Sequence, residues 1–112
     1  MLVYKIFRQP EFAALVANGT TPGAPVDLAD GFVHLSNGDQ VRETAARHFA
    51  GEDNLQLLAI EADRLGNALK WEASRGGDLF PHLYRDLRLD DVLWHKPLPL
   101  LEAGTHNFTG LL

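Results

Sequence analysis

The sequence predicts an α+β fold: a small antiparallel or mixed β-sheet domain with two main helices. Three observations carry that expectation. Segments rich in β-branched and aromatic residues, or alternating apolar with polar, recur at residues 2–7, 32–36, 55–60, 69–73, 79–84 and 92–98. Helical spacing of apolar residues occurs in two stretches, one near the start and one in the middle. Strands and helices do not alternate, which argues against a doubly wound parallel sheet.

Taken in order, residues 2–7 (Leu-Val-Tyr-Lys-Ile-Phe) make the first strand. Gln9-Pro10-Glu11 opens a helix with proline in its first turn. Phe12, Leu15 and Val16 fall on its inner side, and Asn18-Gly19 stops it. Residues 19–31 hold two prolines and three glycines without periodicity, and read as a long loop of the kind that more often serves function than idles. Residues 32–36 form a short strand. Ser36-Asn37-Gly38-Asp39 is a cap-like run leading into a helix with Val41, Ala45, Ala46 and Phe49 on one side. Residues 55–60 are the most apolar segment and predict a central, buried strand. After a turn at 63–66 comes a strand at 69–73. Ser74-Arg75-Gly76-Gly77-Asp78 then supplies the flexible glycines of a hairpin turn. A strand at 79–84 is interrupted by Pro81, and residues 89–92 make one helical turn. Pro97 and Pro99 place the last strand, 92–98, at a sheet edge. The tail, 102–112, is expected to be loosely packed.

At 112 residues the chain reads as a single domain, 1–112, long enough to bury about two thirds of its unfolded surface without staples. It has no cysteine, which removes disulfides, zinc–thiolate and iron–sulfur sites and cysteine nucleophiles. No apolar run approaches the ~20 residues of a membrane helix, and the first residues lack the basic start and apolar stretch of a signal peptide. The expectation is a cytoplasmic protein without membrane contact. Fifteen acidic residues stand against ten scattered basic ones, for a net charge of −5. Nucleic-acid binding draws most of its affinity from phosphate neutralisation, so the charge argues for a small-molecule ligand rather than a nucleic acid.

The phosphate-binding GxxxxGK and the GxGxxG, GxSxG and HExxH motifs are absent. The five histidines form no HxH or HxxxH pair, so no metal site is expected. Two clusters remain. In Asp30-Gly31-Phe32-Val33-His34-Leu35-Ser36, a strand position is given to a titratable ring. Alternation turns Phe32, His34 and Ser36 to one face and Val33 and Leu35 to the other. In isolation His34 is better read as a half-buried ring satisfied by a backbone carbonyl, with Ser36 a helix cap. The second cluster joins Trp71-Glu72 and Arg75 to Phe80-Pro81-His82-Leu83-Tyr84. Trp71, His82 and Tyr84 offer stacking surfaces and hydrogen bonds, Glu72 a carboxylate and Arg75 a fixed cation, the parts that grip a ribose, a flat ring or a phosphate. A polar hairpin with Trp71 in the core and a Glu72–Arg75 surface pair is the plainer alternative.

Tyr4-Lys5-Ile6, the residue 30–36 motif, Trp71-Glu72 and Phe80-Pro81-His82-Leu83-Tyr84 together closely resemble an uncharacterised bacterial family, domain of unknown function 952, over nearly the whole chain. The resemblance implies an ADP-ribosylation-like fold, a split α+β sheet that cradles NAD. Val33-His34-Leu35-Ser36 is also similar, more distantly, to the histidine–leucine–serine strand of the RNA 2′-phosphotransferases, which use NAD. Those enzymes place basic residues before the histidine, where this chain has Gly31, Phe32 and Val33. They also carry an RNA-binding lobe for which this chain has no room. Both departures argue against an RNA 2′-phosphate substrate.

The resemblance implies NAD as cofactor and a role for His34, and the local reading of the second cluster completes a catalytic set of His34, Glu72 and His82. His34, with Ser36 beside it, would bond the nicotinamide-side ribose. Glu72 would stabilise the oxocarbenium-like charge that builds on the sugar. Arg75 or His82 would hold the pyrophosphate, and Trp71 or Tyr84 would stack on nicotinamide. Two other functions stay open at this stage: a ligand-binding domain without chemistry, and a hydrolase or isomerase that uses His34 or His82 with Glu72 as an acid–base pair.

Overall fold

The computed structural model describes all 112 residues except the side chain of Arg75. The chain is α+β, as expected. It runs through β1 (Leu2–Phe7), α1 (Gln9–Asn18), β2 (Thr20–Thr21), α2 (Pro25–Asp30), β3 (Val33–His34), β4 (Ser36–Asn37), α3 (Val41–His48), β5 (Leu55–Glu61), β6 (Leu69–Ala73), β7 (Leu79–Leu83), β8 (Leu87–Arg88) and β9 (Val92–Leu98). Short 3₁₀ turns cover Ala62–Ala68, Arg75–Gly77 and Leu89–Asp91.

The strands separate into a four-stranded sheet of order β4-β1-β5-β9, a three-stranded sheet of order β3-β7-β6, and a small β2-β8 pair. The observed pairings are antiparallel. The central strands β1 and β5 of the four-stranded sheet are buried on both faces, which is why they read as nearly continuous apolar runs. Val3, Phe7, Leu58 and Ile60 face a core shared with Leu15 of α1, Val33 and Leu35, and Leu83 of β7. Tyr4, Ile6, Leu57 and Ala59 face a second core with Val41 and Ala45 of α3 and Phe108 of the tail. The central place of β5 and the edge place of β9 match the sequence reading.

Several local expectations are corrected. Residues 19–31 are not a plain loop, because they contain β2 and α2. Pro25 at the helix start has no N–H to leave unpaired, the Asp27 carboxylate takes the Ala24 N–H at 2.8 Å, and Gly31 ends the helix at φ 83°. Six residues are too few for a helical period to register in the sequence. The strand expected at 32–36 is divided at Leu35, with β3 in one sheet and β4 in the other. β7 runs unbroken through Pro81. The Pro81 carbonyl accepts from the Leu35 N–H at 3.0 Å, where the neighbouring strand leaves the sheet, so the missing proline N–H interrupts little of the ladder. Ser36 does not cap α3, whose N-cap is Gln40 without a side-chain cap bond; Asn37 Oδ1 instead closes the turn before the helix, accepting from the N–H groups of Asp39 and Gln40, both at 2.9 Å. Val16 and Ala46, expected on inner faces, are exposed. The tail folds back on the body: Phe108 is buried, and His106 Nε2 lies 2.8 Å from the Glu52 carbonyl. No helix among the described residues is long and apolar enough to cross a membrane.

Candidate functional site

The division at Leu35 decides where chemistry can sit. β3 pairs His34 directly with His82 of the central strand β7. β6 pairs Lys70 with His82, so Glu72, two residues along, projects to the same face as His82. Residues opposite one another on antiparallel strands share a face, and the three strands therefore bring His34, His82, Lys70 and Glu72 to one side.

The rings make a compact aromatic group. Phe32 stacks on His82 at 4.1 Å between centroids and 24° between planes. It also meets His34 at 4.5 Å and Tyr84 at 5.2 Å. The two imidazoles stand edge to face at 5.5 Å. His82 is nearly enclosed, its side chain 7% exposed, whereas His34 is 31% exposed.

Each imidazole is held through Nδ1 by a carboxylate. His82 Nδ1 lies 2.8 Å from Glu72 Oε1, and the Tyr84 hydroxyl donates to the same oxygen at 2.6 Å. The Tyr84 hydrogen bond, followed by the His82 bond, pulls the Glu72 carboxyl below its ordinary value, and Glu72 in turn pushes the Tyr84 phenol up. An ionised carboxylate only accepts, so His82 Nδ1 carries a proton and its Nε2 is turned outward from that pair.

His34 Nδ1 lies 2.6 Å from Asp27 Oδ1, and the same oxygen accepts the His34 backbone N–H at 2.9 Å. Asp27 is completely buried. Its other oxygen takes the Ala24 N–H and the Lys5 ammonium, both at 2.8 Å. Burial alone would raise the Asp27 carboxyl; the His34 hydrogen bonds and the Lys5 charge and bond overcome it and hold it at about 2. Lys5 reaches this point from β1 through the first core and also donates to the His34 carbonyl at 3.0 Å. Burial pulls its ammonium below the ordinary lysine value, with Asp27 opposing. Gly23 makes the arrangement possible: at φ 109°, a Cβ there would stand 2.3 Å from Asp27 Oδ2.

Of the residues singled out from sequence, His34, His82, Glu72 and Tyr84 meet. Trp71 does not join them. It pairs with Pro81 and so projects to the opposite face of the sheet, near Met1, Ala62 and Leu69. Ser36 does not join them either, because its buried hydroxyl is engaged with Thr44 Oγ1 at 2.8 Å. The Arg75 backbone lies in a 3₁₀ turn, and its side chain falls outside the described residues. Asp27, Lys5 and the stacking role of Phe32 were missed. A proline–x–aspartate run ahead of a glycine, the signal of a short capped helix, was the available clue to Asp27.

No group of three or more histidine, aspartate or glutamate side chains among the described residues is arranged to hold a metal ion. A cavity of about 610 Å³ lies elsewhere, between α3 and the tail, lined by Arg42, Ala45, Leu101, His106 and Phe108 among others. It contains no carboxylate–histidine pair, so the acid–base groups, rather than this cavity, mark the candidate site.

The profile of the family described as protein of unknown function (DUF952) matches residues 6–95. The chain belongs to this family. The DUF952 assignment agrees with the family expected from the motifs. The fold is similar to the crystal structure of protein CC0527 from Caulobacter crescentus, at 51% identity and a TM-score of 0.93 over 97% of this chain and 96% of that one. It is similar also to the solution NMR structure of CC0527, at 51% identity and a TM-score of 0.88 over 99% and 96% of the two chains. No curated protein matches the sequence.

Proposed function

We propose that this DUF952 domain binds NAD across the β3-β7-β6 face and cleaves or transfers at its nicotinamide–ribose bond, in the manner of an ADP-ribosyltransferase-like fold. The observation that carries the reading is the Glu72 carboxylate, 40% exposed on this face and kept ionised by the Tyr84 hydroxyl and His82. Departure of nicotinamide leaves positive charge on the ribose. A fixed anion beside that carbon lowers the barrier without reorganising. His34 would face the ribose–phosphate side of the nucleotide through Nε2, and the exposed Tyr84 ring, backed by Phe32, would offer a stacking surface to nicotinamide. Trp71 and Ser36 have no part in it, given where they point.

The test is nicotinamide release from millimolar NAD, measured by chromatography for the wild type and Glu72→Gln. Release by the wild type, reduced roughly a hundredfold in the variant, supports the reading. No release, together with no rise in melting temperature with NAD, sinks it.

The paired imidazoles favour one second reading. Two histidines at 5.5 Å, each with a carboxylate on Nδ1, also suit general acid–base hydrolysis or isomerisation. A bell-shaped pH–rate profile on an ester or phosphodiester substrate, abolished by replacing either histidine, would distinguish it.

A further inference from the structure

His34 has carboxylates at both ring nitrogens. Asp27 holds Nδ1, and Asp30 Oδ2 lies 3.0 Å from Nε2. The two aspartates are built differently. Asp27 is enclosed, with four hydrogen-bonded or ionic contacts to Lys5, Ala24 and His34. Asp30 is 49% exposed, ends α2, and has His34 as its one side-chain partner among the described residues. Asp27 cannot leave without opening the core, whereas Asp30 can swing into water by side-chain rotation.

The charges explain what Asp30 is doing there. Both ring nitrogens face carboxylates, Asp27 in a hydrogen bond at Nδ1 and Asp30 in a 3.0 Å contact at Nε2, and a neutral ring carries one N–H for the two. When the His34 ring is protonated, Lys5, Asp27 and His34 sum to one positive charge, which Asp30 cancels. Displacing Asp30 from the protonated ring leaves a single N–H donor with one uncompensated positive charge on this face of the sheet. Across β7 from it, on the same face, Lys70 adds a second cation beside His82. Glu72 is already engaged by Tyr84 and His82.

We propose that His34 Nε2 is an oxyanion subsite and that Asp30 is a built-in latch that occupies it until an anionic ligand oxygen takes its place. The Asp30 carboxylate stands where a phosphoryl or carboxylate oxygen of the ligand would bind. The inference deepens the nucleotide reading of this face, and rests on it only for the identity of the natural ligand. The subsite itself answers to simple anions.

The experiment titrates the full chain with inorganic phosphate and, separately, acetate at constant ionic strength. Imidazole ¹⁵N resonances of His34 and His82 are followed by NMR in the wild type, Asp30→Ala, Asp30→Asn and His34→Asn. A half-exposed ion pair keeps most molecules latched, so removing Asp30 should tighten anion binding about fivefold. The His34 Nε2 resonance should move in the free Asp30 variants and shift again on titration. Tightening by phosphate but not acetate identifies a phosphoryl group as the anion, and the reverse a carboxylate. Melting temperatures of the Asp30 variants should stay within a few degrees of wild type, as for a surface pair. Equal anion affinity in wild type and both Asp30 variants overturns the proposal, as does binding that survives His34→Asn. Nicotinamide release is read separately. Tighter phosphate binding without NAD cleavage keeps the subsite and removes the glycosidic chemistry, whereas NAD cleavage with unchanged anion affinity does the opposite.

Discussion

Replacing Asp27 tests the architecture of the site most directly. Asp27→Ala removes the anion beside the Lys5 ammonium, whose side chain is only 7% exposed. It also strands the N–H groups of Ala24 and His34 and the His34 Nδ1 proton. Breaking a buried pair by deleting one partner costs about 3–5 kcal/mol, because the remaining charge stays buried without compensation. The His34 carbonyl, still 3.0 Å from Lys5 Nζ, places the cost toward the lower end. For a domain of this size the midpoint should fall by about 10–20 °C at pH 7. Asp27→Asn isolates the charge. The folded-state carboxyl titrates at about 2 against an ordinary 3.8, a difference equivalent to about 2 kcal/mol. The folded value lies below the unfolded one. That stability is therefore complete above about pH 4 and is lost as pH falls toward 2. Urea unfolding of wild type and Asp27→Asn between pH 2 and 7 should show a steeper acid loss in the wild type. An Asp27→Ala protein within about 1 kcal/mol of wild type at pH 7, or identical acid limbs for wild type and Asp27→Asn, would refute the reasoning.

Three further outcomes are expected. Tyr84→Phe removes the first donor to Glu72, so the Glu72 carboxyl should titrate at higher pH in ¹³C NMR; an unchanged titration would contradict the Tyr84–Glu72 bond. Gly23→Ala puts a Cβ 2.3 Å from Asp27 Oδ2 at a φ of 109°, and should cost about 2 kcal/mol or more by chemical denaturation. Phe108→Ala should cost about 3 kcal/mol, because the ring fills the second core against α3; a loss near zero would mean that the tail is dispensable.

The parts of the fold that were legible in the sequence are those with strong local signals. β1 and β5 announce themselves by apolar content, β9 by its prolines, and α1 by Pro10 and Gly19. What escaped is short or non-local. The six residues of α2 complete less than two helical turns, so only cap chemistry could have located them. Nothing local tells that residues 33–34 and 36–37 pair with different sheets, since pairing is decided by β7 and β1, distant in the chain. The site followed the same rule. His34, Glu72, His82 and Tyr84 were legible as polar or aromatic groups in strand positions. Trp71 was misplaced because a neighbour in sequence points to the other face of a strand. Ser36 was misplaced because the alternation begun at Phe32 was carried across the break at Leu35. Asp27 escaped because its partners are 22 residues before it and 7 after it (27 − 5 and 34 − 27), joined only by folding.

Lys5 and Asp27 are partners, yet their removal should not be equivalent, and the asymmetry tests which of them organises the site. Without Lys5, the Asp27 carboxylate still accepts from the Ala24 N–H, the His34 N–H and His34 Nδ1. Without Asp27, the ammonium of Lys5 keeps a single carbonyl. A carboxylate with three donors is well satisfied even when buried, whereas an ammonium with one acceptor is not. Lys5→Met, close in volume and apolar like the core it crosses, should therefore destabilise less than Asp27→Ala, by at least about 1 kcal/mol. In Lys5→Met the Asp27 carboxyl should titrate above its wild-type position, having lost the Lys5 charge and bond. The His34 Nδ1 proton should remain bonded to it, visible as a retained downfield imidazole proton resonance. Should Lys5→Met prove the more damaging substitution, or should it erase that resonance, the histidine would be held by the lysine and the sheet behind it, and Asp27 would be only the lysine's counterion.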